Sequence, residues 1–138
     1  MKRTYIDSCV LIAAATLDNS DPICQEALKI LGSAERYFIS SYYVKFEVLP
    51  HAIRNKRKLE AEFYETFFDS VQEWVEPNQK LLECAYNEII TNNNGLSGID
   101  AIHVAAALLG KVDELITAEK KEKPICQVKS IKVISLRK

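Results

Sequence analysis

Glycine is scarce in this chain, with four residues in 138. A phosphate cradle needs several in close order, so the composition argues against a nucleotide-binding loop. The four cysteines, Cys9, Cys24, Cys84 and Cys126, include no C-x-x-C pair. That argues against a thiolate zinc site, and the cysteines read as small buried hydrophobes in a reducing compartment. An excess of one charge is also lacking. Eighteen Lys and Arg stand against nineteen Asp and Glu, for a formal net charge of -1. No global positive field marks a nucleic-acid binder, so any such binding comes from local patches. No apolar run reaches the ~20 residues that a membrane span requires. Lys2 and Arg3 before Tyr5 to Ala15 imitate a signal peptide only faintly. Asp7 interrupts that run, and no convincing cleavage region follows. The expectation is a cytoplasmic protein with no membrane contact. No Ser–His or Cys–His nucleophile motif stands out.

What is present is an ordinary soluble mixture, 48% apolar and 27% charged, in a length that fits one domain spanning residues 1–138. Short runs of β-formers alternate with helical patterns. Strands are expected at Thr4–Ile6, Arg36–Ile39, Trp74–Glu76, Glu114–Thr117 and Ile131–Ser135. Helices are expected from Cys9 to Ala15, and after Asp21-Pro22. Further helices run from Ser40-Ser41 to about Lys58, from Leu59 to about Glu73, from Gln79 to about Thr91, and from Ser97 to Leu109. Gly95 suits the C-cap of the fifth helix. About five strands separated by helices predict an α/β fold with a central, mostly parallel sheet. Such sheets bind ligands beyond the carboxyl ends of their strands, so acids placed there are the candidates.

Four acids fit that description. Asp7 directly follows the first strand, although it can equally serve as the cap of the helix beginning at Ser8. Asp100 lies three residues after Ser97, as in a capping box, at the positive end of the helix dipole. Its helix is apolar nearly all round, however, and a carboxylate buried there is costly unless paired with a cation. Glu47 lies off the apolar face of its helix, on a strip with Tyr43 and His51, which also suits a solvated surface residue. Glu119 follows the fourth strand among Lys120, Lys121 and Lys123, as a charged surface loop would, while Thr117 at the strand end can orient a bound water or ligand. Together the acids suit a hard divalent cation, Mg²⁺ or Mn²⁺, better than zinc. One or two such ions can polarise a phosphodiester and generate hydroxide for in-line attack.

The order of these stretches resembles the PIN-domain family. The matching segments are Tyr5-Ile6-Asp7-Ser8-Cys9-Val10-Leu11-Ile12, Ile39-Ser40-Ser41 through Glu47, Leu96-Ser97-Gly98-Ile99-Asp100-Ala101-Ile102-His103-Val104-Ala105, and Leu115-Ile116-Thr117-Ala118-Glu119. They span nearly the whole chain, and the first and third are the most specific. The resemblance implies a three-layer α/β/α fold and a Mg²⁺- or Mn²⁺-dependent ribonuclease site. Asp7, Glu47 and Asp100 would be its metal-binding acids, with Ser8 as a supporting hydroxyl. The family's fourth acid is usually Asp, two residues after the strand-end Thr. Here Glu119 takes that place, with a longer arm. Many small bacterial members are toxins of toxin–antitoxin pairs that cleave RNA and are held inactive by a partner protein. The alternative is a catalytically weak or inactive module of the same fold that binds RNA or a protein partner.

Three other features have plainer readings. His103 shares a helix face with Asp100, and reads better as a hydrogen-bonded, partly buried histidine than as a ligand. Arg54, Lys56, Arg57 and Lys58 read as a solvated helix end complementing its dipole, although they could also meet RNA phosphates. Phe63, Tyr64, Phe67, Phe68 and Trp74 read mainly as core, so a homodimer rests on the family resemblance rather than on these aromatics.

Overall fold

The computed structural model describes residues Met1–Lys138. In chain order the elements are β1 (Lys2–Ile6), α1 (Ser8–Ala15), α2 (Pro22–Leu31), β2 (Arg36–Ser40), α3 (Tyr42–Arg54) and α4 (Lys58–Ser70). They continue with β3 (Glu73–Trp74), α5 (Gln79–Asn92), α6 (Gly98–Leu109), β4 (Glu114–Thr117), a 3₁₀ turn (Pro124–Gln127) and β5 (Val133–Ser135). The five strands form one sheet in the order β3-β2-β1-β4-β5. Every pairing is parallel, so the expected mostly parallel sheet is wholly so. Tyr5 and Ile6 point to opposite faces of β1, and both are fully buried, so helices cover the sheet on both sides. The expected three-layer α/β/α architecture is therefore observed.

Chain direction explains where the site must lie. From β1 the chain moves outward through β2 to β3, then returns to the other side of β1 for β4 and β5. The switch point falls between β1 and β4. There the crossovers diverge and leave a crevice beyond the strand ends. Asp7 is the first residue past β1, and its backbone N–H donates to the Ile116 carbonyl at 2.9 Å. The residues that follow the two strands are thereby locked side by side.

Local signals explain most element ends. Asp21 caps α2 through its carboxylate, with Pro22 at the first helical position. Asn78 caps α5 in the same way. The expected last strand begins at Val133 rather than Ile131, and the third and fourth helices end at Arg54 and Ser70, short of Lys58 and Glu73. Two further corrections have a local cause. The C-cap of α5 is Asn93, in the left-handed region at φ 43°, while Gly95, at φ 85°, lies two residues beyond it. Asparagine tolerates that conformation and takes the place expected for glycine. The third strand is Glu73–Trp74 rather than Trp74–Glu76, because its pairing to β2 is limited to Ile39↔Glu73 and Ser40↔Trp74. Gly110 closes α6 where a Cβ would meet Ile39 Cγ2 at 2.9 Å, so the helix end sits directly against β2. Tyr64, Phe67 and Phe68 are buried, with Phe63 and Trp74 packed partly buried against the core, as their spacing implied. All four cysteines are free thiols. Cys24 is buried, and the other three are only partly so. No helix is long and apolar enough to cross a membrane.

The amino ends of the strands hold a buried charge. Glu114 is 1% exposed and accepts from the Thr4 hydroxyl at 2.8 Å and from Arg36 Nε at 3.1 Å. Replacing Arg36 by Met leaves the buried carboxylate with the Thr4 hydroxyl and, as its one cation, Lys2 at 3.7 Å. Chemical denaturation should show a loss of about 3 kcal/mol. A loss below about 1 kcal/mol would mean that Arg36 does not compensate the buried Glu114 carboxylate.

Candidate active site

The site is built outward from Asp7. Its Oδ1 accepts the Ser8 backbone N–H at 2.8 Å, so the carboxylate does cap α1. Its Oδ2 accepts the Thr117 hydroxyl at 2.8 Å and the Cys9 thiol at 3.3 Å. The side chain is 4% exposed, and no Lys or Arg pairs with it. Capping and a functional role are compatible here, because neutral donors fix the carboxylate without neutralising it.

Cys9 is the hub of this corner. Its sulfur also accepts the Ala118 N–H at 3.1 Å and lies 3.3 Å from the Thr117 hydroxyl. Burial, and then the charge of Asp7, push the thiol up to about 12, so it stays protonated and donates to Asp7. Thr117 in turn accepts the Glu119 N–H at 3.1 Å, which ties the loop carrying Glu119 to Asp7. Sequence reasoning treated Cys9 as a small hydrophobe. The signal was available only as its position two residues after Asp7.

Glu47 reaches the same place from α3. Its Oε1 accepts the Ser8 hydroxyl at 3.0 Å and is hydrogen-bonded to His103 Nε2. His103 is fully buried, and its Nδ1 meets the Tyr5 hydroxyl at 2.8 Å, which itself meets the Ser41 hydroxyl at 2.8 Å. Both ring nitrogens are thus engaged by protein. Burial works to lower the His103 pKa, but the Glu47 hydrogen bond and the nearby carboxylates outweigh it, and the ring is held above its ordinary value. Burial likewise works to raise Glu47, and is outweighed by the His103 bond and charge and by Ser8, so Glu47 lies below its ordinary value. Asp7, Glu47 and His103 offer ligand atoms within 4.8 Å of one another. The histidine's engaged nitrogens make it the residue that positions Glu47, in line with its plainer reading as a hydrogen-bonded histidine.

Asp100 enters from the first turn of α6. The Ser97 hydroxyl accepts its N–H at 3.1 Å, so the expected cap forms. Its carboxyl makes no hydrogen bond or ion pair. Burial first, then the charge of Asp7, push it above the usual carboxylate range. Glu119 and Glu47 add to the rise, and His103 opposes it. Asp7, Glu47 and Glu119 are therefore all near enough for their charge to act on Asp100. Lys120, Lys121 and Lys123 do not capture Glu119, which is in no ion pair.

Such crowding fits a hard divalent cation. The donors are carboxylate oxygens, the positive charge among them comes from one histidine already bonded to Glu47, and Asp100 lacks any partner.

No protein-family model matches the chain, and no curated protein matches it. Solved structures do. The VapBC2 structure from Rickettsia felis, bound to a promoter DNA fragment, is similar at a TM-score of 0.70 and 12% identity, covering 96% of this chain and 98% of that one. A toxin–antitoxin complex from Klebsiella pneumoniae gives 0.70 and 19%, covering 96% and 97%. Mycobacterium tuberculosis VapC20, a sarcin–ricin loop cleaving toxin, gives 0.65 and 15%, covering 94% and 98%. The fold is the PIN-like α/β/α class. Within that class, the solved chains it is similar to over nearly their full length come from toxin–antitoxin structures, among them VapBC2 and the VapC20 toxin.

An acid whose folded pKa is raised binds its proton more tightly in the folded state, so its ionisation costs stability as pH rises through the carboxylate range. In metal-free protein, Asp100→Asn should therefore raise the melting temperature by a few degrees at pH 7. The gain should vanish once pH falls below the ordinary value of 3.8. Thermal melts of both proteins across pH check this, and a destabilised Asn variant at pH 7 would refute the crowding.

Proposed function

We propose that the chain is a divalent-metal-dependent endoribonuclease and the toxin of a toxin–antitoxin pair. The observation that supports this is the meeting of Asp7, just past β1, with Glu47 of α3 beyond the strand ends of a PIN-like sheet, close enough together with Glu119 for their charge to act on Asp100 of α6, and with no Lys or Arg paired to any of the four. Asp7, Glu47 and Asp100 would hold Mg²⁺ or Mn²⁺, and Glu119 would lie beside them. The bound ion would supply Lewis-acid polarisation of a phosphodiester and a water of lowered pKa.

The chain's own residues do the positioning. Ser8, Thr117 and Cys9 fix both oxygens of Asp7. The Tyr5–His103 pair and the Ser8 hydroxyl hold Glu47. Asp100 is left without a proton donor, which suits a group that meets a cation.

An antitoxin partner is supported by the toxin–antitoxin complexes among the similar structures. A homodimer follows from the family resemblance, and four free thiols accord with a cytoplasmic setting. One feature favours a second reading, a weak or inactive RNA- or protein-binding module: Glu119 stands where the family usually has Asp.

Mn²⁺ titration by calorimetry, paired with an RNA cleavage assay, separates the two. Wild type should bind the ion and cleave RNA, and Asp7→Asn should do neither. Binding without cleavage would favour the second reading, and a folded wild type that binds no ion would end the metal-nuclease reading. His103→Ala should keep the fold but weaken Mn²⁺ binding by about 10–100-fold, because it frees Glu47 from its orienting partner. Unchanged affinity would remove His103 from the positioning role.

A further inference from the structure

A groove of about 1120 Å³ lies between α2 and the β4–β5 half of the sheet. Ile116 and Ile134 of the sheet and Ile23 and Ile30 of α2 line it. Lys29, Lys120, Lys121 and Arg137 line it as well, against Glu26 and Glu122. None of those four cations is in a salt bridge. The chain as a whole is formally -1, so this is positive charge gathered in one place.

The groove is joined to the acidic cleft through one loop. The Ser135 hydroxyl donates to the Glu119 carbonyl, and Arg137 Nε donates to the Ala118 carbonyl at 2.6 Å. Ala118 is in turn held by Cys9 beside Asp7. The cations after β4 and β5 and the acids of the site are therefore set in register by the same backbone. No aromatic side chain lines the groove, so it offers no platform for stacking bases. What it offers is positive charge beside a cleft that repels polyanions.

We propose that this groove binds the phosphodiester backbone of the RNA strand whose scissile bond lies in the acidic cleft, which rests on the nuclease reading of that cleft. Lys29, Lys120 and Lys121 neutralise phosphates flanking the reacting one. The binding is independent of sequence, strengthens as salt falls, and offsets repulsion from Asp7, Asp100 and Glu119.

The test has two arms, both using the full chain. In the first, anisotropy of a fluorescein-labelled, mixed-sequence single-stranded RNA is followed against KCl in EDTA, so that nothing is cleaved. The triple substitution Lys29→Gln, Lys120→Gln, Lys121→Gln should flatten the slope of log K against log salt by about 2, at roughly 0.7 for each phosphate left without its lysine. The corresponding Gln changes at Arg54, Lys56 and Lys58 should leave it nearly unchanged. All six side chains are exposed, so folding is not at stake. In the second arm, Mn²⁺-dependent cleavage by the triple variant should lose efficiency through KM rather than kcat. A wild type that does not cleave, beside a flattened slope in the variant, would overturn the nuclease reading and keep the groove as an RNA site. A cleaving wild type matched by the variant in slope and KM would overturn the groove. Tighter binding of an acidic peptide such as poly-glutamate than of RNA, abolished in the variant, would overturn it too, by making the groove a peptide site.

Discussion

Like charge held close together, with no Lys or Arg and a single buried histidine against it, is the constraint from which the rest of this structure follows. Carboxylates brought out of water repel one another and lose hydration, and each needs either a hydrogen-bond donor or a cation. The protein meets that need unequally. Asp7 receives a backbone N–H, a hydroxyl and a thiol. Glu47 receives a hydroxyl and an imidazole. Asp100 receives nothing from the protein, and its raised pKa records the deficit. A neighbourhood arranged so that one acid stays unsatisfied is poor design for stability and good design for holding a cation.

The supporting residues are as much part of the site as the acids. Tyr5 sits in the central strand, His103 in the helix packed over it, and Ser41 at the start of α3. A chain of hydrogen bonds runs through the three to Glu47. Its members come from separate elements, so the carboxylate is correctly placed only when β1, α3 and α6 are packed. Cys9 does the same between α1 and the loop after β4. Folding and preorganisation of the site are thus one event.

The two ends of the sheet handle buried charge in opposite ways. At the amino end, Glu114 is closed off by Arg36, Thr4 and Lys2, an internally compensated cluster that serves the fold. At the carboxyl end the acids have no Lys or Arg, and positive charge is displaced into the adjoining groove beside α2. A polyanion approaching the switch point meets a repelling cleft flanked by an attracting one, a distribution the net charge of -1 conceals.

Much of this was legible in the sequence. Alternating strand and helix patterns determined an α/β chain, and the runs after β1 and into α6 placed Asp7 and Asp100 at element ends where parallel sheets expose ligand-binding groups. Ser97 and Asp21 marked helix starts, because caps are local hydrogen bonds that need no tertiary partner. Periodicity put Glu47 off the apolar face of α3, and a residue so placed reads as solvated. Only packing of α3 beside α6 showed that it faces His103. The asparagine cap of α5 and the two-residue β3 escaped the pattern because several residues tolerate a left-handed backbone and because strand length is set by the partner strand. The hub at Cys9 joins residues more than a hundred positions apart in the chain, and the cationic groove joins α2 to the segments after β4 and β5. Spacing along the sequence carries no information about such pairs, since the registers of β1 against β4 and of β4 against β5, with the packing of α2, decide which of them meet.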